Sequence, residues 1–211
     1  MRTSLVFVII SLLFIALCAL YMPVHAQVPA GWKLVKDDAE SAVAETDHTI
    51  SHSGKASGRV TIPKPARHEV AFLQPLRADS LRGKRILISG YIKSALLSGE
   101  AGLVAITNNG GRYSLYFPSE ERLTKDQPNW KKCTVVIEIP TDTMLLSFGL
   151  WVRHGSGKLW LDEVNFVAIN DQRQKLAQPR KSSPLTRDEM SKIKEAYDAA
   201  TDKPVNLGFE Q

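Results

Sequence analysis

Short apolar runs, separated by turn-forming residues at regular intervals, fill the chain from residue 28 to residue 168. No strong helical periodicity interrupts this stretch. Such spacing is typical of an all-β sandwich, in which each strand buries one face against the opposite sheet. The pattern predicts ten strands, at 33–36, 42–47, 57–62, 69–74, 85–93, 102–107, 113–117, 132–139, 145–152 and 158–167. Residues 27–169 are therefore predicted to form one β-sandwich domain.

The first 26 residues have the features of a secretory signal. Arg2 gives a positive start, residues 5–20 form an apolar run, and residues 24–26 put small side chains at the cleavage positions. The run of 16 residues is short for a membrane span, which needs about 20. Cleavage would remove Arg2 and lower the formal net charge from +5 to +4. We expect an exported protein, periplasmic or extracellular, without a stable membrane anchor after cleavage.

Composition changes after the predicted sandwich. Residues 170–185 are basic, polar and proline-containing, as expected of a linker whose charges are solvated. A helix is predicted at 186–201, because Thr186 and Glu189 form a capping box and apolar residues recur on one face. That apolar face either docks on the sandwich or binds a partner. No DNA-reading helix is evident, and nucleic acid is not an expected partner.

Catalytic chemistry has little support in the sequence. After signal cleavage Cys133 is the one cysteine left, so no intramolecular disulfide can form. Cys133 shares a strand face with Val135 and Ile137, which predicts a buried, unreactive thiol. None of the four histidines of residues 27–211 falls in a metal-binding spacing, and no pair of carboxylates is placed to flank a glycosidic bond. We therefore predict that the protein is not an enzyme.

One acid lies where a core-facing residue is expected. In the stretch 157–166, GKLWLDEVNF, period-two alternation puts Trp160, Asp162, Val164 and Phe166 on one face. Burying an unpaired carboxylate costs several kcal/mol, about 3–5 when a partner is lost. Asp162 should therefore meet backbone N–H groups, a basic side chain or a metal ion.

This stretch also resembles the last strand of jelly-roll sandwiches of the galactose-binding-like and carbohydrate-binding-module-like type. Such domains occur in secreted bacterial proteins and are appended to some bacterial transcriptional regulators. Further similar stretches are HSGKAS at 52–57, RGKRILISGYIKS at 82–94, AGL at 101–103 and FGLW at 148–151. The resemblance covers roughly residues 28–168 and implies a jelly-roll β-sandwich.

The same resemblance gives a role to the last residues. In the resembling modules an Asn-Leu-Asp-Phe-Glu string stands in the first strand, just ahead of Pro-x-Gly-Trp. Here Pro-Ala-Gly-Trp stands at 29–32, whereas Asn-Leu-Gly-Phe-Glu stands at 206–210. We hypothesise that residues 205–210, within a strand-like segment at 202–211, fold back and fill the first-strand position. A disordered tail is the alternative.

The resemblance further implies a structural calcium near the first and last strands. Asp162 and Glu210, with Glu45 as a third acid, would supply the oxygen ligands that Ca²⁺ prefers. Capping of backbone N–H groups is an equal reading of Asp162. No other cofactor is expected.

Strand alternation defines a candidate ligand surface. If Phe148 and Leu150 point into the core, Trp151 and Arg153 point outward. The same argument places further aromatic and basic residues outside, and the full predicted surface is Tyr91, Lys93, Arg112, Tyr116, Trp151 and Arg153. Aromatic faces stack on sugar rings, and basic side chains bind hydroxyls or acidic substituents. A glycan or glycosylated surface is the predicted partner; an envelope protein, bound by an assembly module, is the alternative.

Overall fold

A computed structural model of the protein describes residues 27–36, 39–110, 114–182 and 184–211. The predicted signal, residues 1–26, lies outside the described residues. Eleven strands are found in the described ranges: β1 (Lys33–Lys36), β2 (Val43–Asp47), β3 (Ser57–Ile62), β4 (Glu69–Arg77), β5 (Arg85–Ala95), β6 (Glu100–Asn108), β7 (Ser114–Leu123), β8 (Lys131–Glu138), β9 (Leu145–Arg153), β10 (Gly157–Ile169) and β11 (Arg180–Lys181). A helix, α1, spans Arg187–Asp198.

The strands form two antiparallel sheets packed face to face. The six-stranded sheet has the order β1-β4-β9-β6-β7-β11, and the five-stranded sheet has the order β2-β3-β10-β5-β8. Among the described strands, only the β2–β3 and β6–β7 connections stay within one sheet, and every other connection between consecutive strands crosses to the opposite sheet, as in a jelly roll. The predicted all-β jelly-roll β-sandwich is confirmed.

The core lies between the two sheets. Alternate residues of each strand supply it, among them Ile86 and Ile88 of β5, Ile137 of β8 and Phe148 of β9, all fully buried. Cys133 is also fully buried, and burial, followed by the nearby charge of Glu121, raises the pKa of its thiol to about 12. The thiol is therefore protonated and inert at neutral pH.

Strand β10 changes face at a β-bulge. Trp160 and Asp162 point to the outer face of the five-stranded sheet, because the residues on both sides of Trp160 are fully buried in the core. Glu163 has a φ of 48°, and the pairing with β5 shifts at this point. Beyond the bulge Val164 and Phe166 pack on the core. The predicted shared face of these residues is wrong, because one extra residue reverses the alternation.

A buried acid holds the outer face of the five-stranded sheet together. Asp47 is 4% exposed and accepts hydrogen bonds from Trp160 Nε1 at 2.8 Å and from Arg59 Nη1 at 2.8 Å. Arg59 also donates to Glu45. Burial by itself raises the pKa of Asp47, but hydrogen bonds from Thr49 and Trp160 and the charge of Arg59 outweigh it and lower the pKa to about 2.

This lowered pKa predicts an acid-sensitive contribution to stability. Asp47 has an unfolded pKa near 3.8, so its contribution is complete above about pH 5 and is lost as the pH falls towards 2. We expect wild type to exceed Asp47→Asn in unfolding free energy by about 2 kcal/mol at pH 7, and by much less near pH 2. Urea unfolding of both proteins across this range measures the difference. A difference independent of pH would contradict the assignment.

Helix α1 begins as predicted. Thr186 and Glu189 form the reciprocal capping box, with Thr186 N donating to Glu189 Oε2 at 2.7 Å. Its apolar face lies beside one end of the sandwich, where the Arg77 guanidinium stands 5.9 Å from the Tyr197 ring centroid. No residue of α1 is buried, and Met190 is 41% exposed. No helix of the described residues has the length and apolar character needed to cross a bilayer.

The segment after α1 returns to the sandwich and enters its core. Phe209 is fully buried, with its ring centroid 4.9 Å from that of Trp32, and Trp32 Nε1 donates to Asn206 O at 3.2 Å. Gln74 clamps the segment through Val205, donating to its carbonyl at 2.6 Å and accepting from its N–H at 2.8 Å. The segment thus folds back onto the sandwich beside Trp32, as hypothesised. The expected strand is not formed: residues 202–211 have a turn at 207–208 and otherwise bends or irregular backbone.

Candidate functional site

An apolar platform lies on the outer face of the six-stranded sheet. Trp151 of β9 stands opposite Ala71 of β4 and Gly102 of β6, two small residues that leave room for the indole. The indole Nε1 donates to Leu103 O at 3.2 Å. Trp151 packs with Ala71 and Val104 in an apolar cluster separate from the core. Alternation along β9 therefore places Trp151 on the outer face, as predicted, where it belongs to a second, smaller apolar cluster.

A cleft of about 330 Å³ runs over this platform. Glu69 and Arg153 stand at one side of it. At the other side lie Tyr116 and Pro118 of β7 and residues 180–182. The second wall exists because β11 pairs with β7 at the sheet edge, with Arg180 opposite Tyr116. We call this feature the sheet cleft.

Two guanidinium groups cover the central tryptophan. The Arg153 guanidinium lies 5.5 Å from the Trp151 ring centroid, and that of Arg122 lies 5.7 Å from it. Glu69 fixes Arg153, accepting from its Nε at 2.8 Å and its Nη2 at 2.6 Å. Trp151 is only 4% exposed as a result. The indole therefore supports the two arginines by cation–π contact, rather than offering an open face to a sugar ring as the sequence suggested.

The structure unites three of the predicted ligand residues and separates two others. Tyr116, Trp151 and Arg153 line the sheet cleft. Tyr91 and Lys93 belong to β5, in the five-stranded sheet on the far side of the molecule. Alternation had correctly placed them outside, but it cannot tell which of two sheets a strand joins. The predicted single surface is thus wrong for these two. Arg112 lies outside the described residues.

Tyr91 belongs to a different cluster. The His52 ring stacks on it with centroids 3.7 Å apart, and Trp130 meets His52 edge-on at 5.7 Å. His52 Nδ1 also contacts Glu163 Oε2 at 2.8 Å. The amino group of Lys132 lies 5.9 Å from the Tyr91 ring. These contacts hold the loop between β2 and β3 against the five-stranded sheet.

Sequence reasoning missed the residues of the second wall. Arg180 and Lys181 lie in a stretch whose basic, polar composition indicated a solvated linker. Two residues are too few to show a period, so β11 left no signal in the pattern. Glu69 was missed as well, although it directly precedes the apolar run of β4.

Asp162 binds the backbone of the loop between β2 and β3. Its Oδ2 accepts from His52 N at 2.6 Å and Ser53 N at 3.0 Å, and its Oδ1 accepts from Glu163 N at 2.6 Å. Burial raises the pKa of Asp162, and these three hydrogen bonds oppose the rise. Asp162 therefore caps backbone N–H groups, which is one of the two roles that the sequence left open.

Glu210 holds the same loop from the other end of the chain. Its Oε1 accepts from Lys55 N at 2.7 Å and from Ala56 N at 3.3 Å. Glu45, the third candidate ligand, binds Arg59. Among the described residues, no group of three or more His, Cys, Asp or Glu side chains is placed to hold a metal ion. Carboxylates that face N–H donors do not fit the expected calcium, and we assign these acids to loop anchoring instead.

Solved structures with a similar architecture include carbohydrate-binding modules. The C-terminal family 22 module of Clostridium thermocellum Xyn10B gives a TM-score of 0.54 at 13% identity, covering 67% of this chain and 87% of that one. The CBM22-2 xylan-binding domain of Paenibacillus barcinonensis Xyn10C gives 0.52 at 13% identity, covering 66% and 92%. The protein thus has the jelly-roll fold of carbohydrate-binding modules, and the resemblance seen in the sequence is confirmed.

A curated bacterial protein shares more of the sequence. The uncharacterised HTH-type transcriptional regulator YbfP of Bacillus subtilis (strain 168) is 27% identical over 184 residues. The match covers 86% of this chain and 57% of the regulator, so the chain spans little more than half of that relative. A scan against protein-family models gives no match.

Proposed function

We propose that the protein is an exported, non-catalytic module that binds a glycan chain along the sheet cleft. The observation that carries this proposal is the cleft itself. It crosses strands β4, β9, β6, β7 and β11, with an apolar floor and polar walls. An extended polymer can lie across several strands of a sheet, whereas a small metabolite needs a deeper, enclosed pocket.

The fold supports the same proposal. Two solved modules of this architecture are xylan-binding domains of carbohydrate-binding module family 22. The sheet cleft offers what a sugar chain needs, namely an aromatic ring at Tyr116 and side-chain donors at Arg153 and Ser182. Export is proposed from the character of residues 1–26.

A binding role, rather than hydrolysis, agrees with the acids of the cleft. Hydrolysis of a glycosidic bond uses a pair of carboxylates flanking that bond. In the described part of the chain Glu69 is the one acid lining the sheet cleft, and Arg153 holds its Oε1 through two hydrogen bonds. We therefore assign Glu69 to positioning Arg153.

Affinity electrophoresis tests the proposal, with soluble arabinoxylan and glucuronoxylan in the gel. We expect retardation of wild type by at least one polymer, and about tenfold weaker binding for Tyr116→Ala, because a stacked ring contributes roughly 1 kcal/mol or more. Tyr91→Ala is the matched control, since it removes the same ring from the other sheet. Equal losses of binding in both variants would contradict the proposal. So would a wild-type protein that binds no polymer in a wider glycan panel.

One observation favours a second candidate, a protein-interaction module. An apolar groove of about 420 Å³ lies between α1 and the end of the sandwich, lined in part by Met144, Leu145, Met190 and Ile193. Methionine-lined grooves adapt to apolar segments of partners. Retention of an envelope protein by wild type but not by Ile193→Asp, with no glycan bound, would favour this alternative.

A further inference from the structure

The charges around the sheet cleft are unbalanced. Three basic side chains, Arg153, Arg180 and Lys181, line it against one acid, Glu69. The acid already contacts Arg153 through two hydrogen bonds. Arg180, in the wall formed by β11, therefore adds positive charge for which the described lining holds no second acid.

The basic side chains of the linker that contains β11 differ in whether they form ion pairs. Arg173 binds Asp171, with Nε and Oδ1 3.1 Å apart, and Lys175 binds Glu120. The side chain of Arg180, by contrast, has no hydrogen bond or ion pair within the described ranges; the residue is exposed and lies opposite Tyr116. The linker thus neutralises its bases outside the cleft and leaves Arg180 facing it.

A neutral sugar chain can accept hydrogen bonds from basic side chains but forms no ion pair with them. It is recognised mainly by stacking and by hydroxyl hydrogen bonds, yet both guanidinium contacts on Trp151 limit stacking at the centre of the floor. A carboxylate, in contrast, forms a bidentate pair with a guanidinium, and ammonium and guanidinium groups at an exposed rim attract it without a large desolvation cost. Resting on the glycan-binding function proposed above, we infer that the ligand is an acidic polysaccharide bearing uronic-acid carboxylates, which Arg180 and Lys181 select.

The decisive comparison uses one polymer in two charge states. Glucuronoxylan and its carboxyl-reduced form share a backbone, and the reduced form carries neutral glucosyl groups in place of glucuronate. By isothermal titration calorimetry, we expect the full-length mature protein to bind glucuronoxylan about tenfold or more tightly than the reduced polymer, with the preference shrinking at high salt.

Matched double variants locate the selectivity. Arg180→Gln with Lys181→Gln should bind both polymers at the affinity of the reduced form. Arg173→Gln with Lys175→Gln removes the same charge from the same linker outside the cleft, and it should keep the preference. Both pairs are exposed, so folding should be unaffected, as a melting curve verifies.

Three outcomes overturn the inference. Equal affinity of wild type for both polymers leaves glycan binding intact and removes the acidic selectivity. Equal loss of preference in the two double variants shows general charge attraction. Dextran sulfate bound as tightly as glucuronoxylan shows that any anion suffices. Binding to neither xylan nor any other glycan, by contrast, removes the proposed function itself.

Discussion

Replacing Phe209 by alanine lowers the unfolding free energy by about 3–5 kcal/mol, the range for truncating a buried phenylalanine. The side chain is fully buried between Trp32 and Phe72, with ring centroids 4.9 Å and 5.9 Å away. The site has little freedom to collapse around a cavity, because Gly58 also packs there; a Cβ on Gly58 would stand 2.6 Å from the Phe209 ring. Urea unfolding followed by tryptophan fluorescence measures the loss.

Lys203→Ala is the control for this substitution. Lys203 lies in the same segment but is exposed, so its truncation should change stability by less than about 0.5 kcal/mol. A similar small change for Phe209→Ala would mean that the segment is not part of the core in solution, and the disordered-tail alternative would then hold.

Replacing Asp162 by alanine lowers the unfolding free energy by about 3 kcal/mol. The substitution leaves the N–H groups of His52, Ser53 and Glu163 without their carboxylate acceptors. Water can reach part of the loop and recover some of these bonds, so the loss is smaller than the sum of three buried hydrogen bonds. Hydrogen exchange should also show faster exchange at His52 and Ser53.

Glu163→Gln separates the role of Asp162 from general charge at the bulge. Its side chain is 53% exposed and contacts His52 at the surface, where an ion pair contributes little. We expect a change below about 1 kcal/mol and unaltered exchange in the loop. If the two variants lost stability equally, the backbone anchoring assigned to Asp162 would be refuted.

Most of the fold could be predicted from strand periodicity in the sequence. All ten predicted strands are present, because alternation between core and surface constrains the sequence wherever one face is buried. Periodicity failed where the backbone departs from it. The bulge at Glu163 reverses the faces of β10, and the change follows from one backbone conformation rather than from composition.

The candidate site was only partly predictable for a related reason. Alternation identified Trp151 and Arg153 as outward residues of β9, and the structure brings Tyr116 beside them in the sheet cleft. Membership of a sheet depends on how strands pair over long distances, so Tyr91 could not be separated from this group by local pattern. The β11 wall depends on two residues pairing with β7, which is a purely tertiary event.

The junction of Trp32 with the segment at 204–211 also bears on how the protein folds. The hydrogen bond from Trp32 to Asn206 joins residues 174 positions apart, and the Phe209 ring packs at the same place. Closing a loop of this length lowers the chain entropy before the contact forms. Folding rates therefore fall as the native contacts become less local in sequence. The aromatic centre of this sandwich therefore joins opposite ends of the domain, and we expect these long-range contacts to slow its folding.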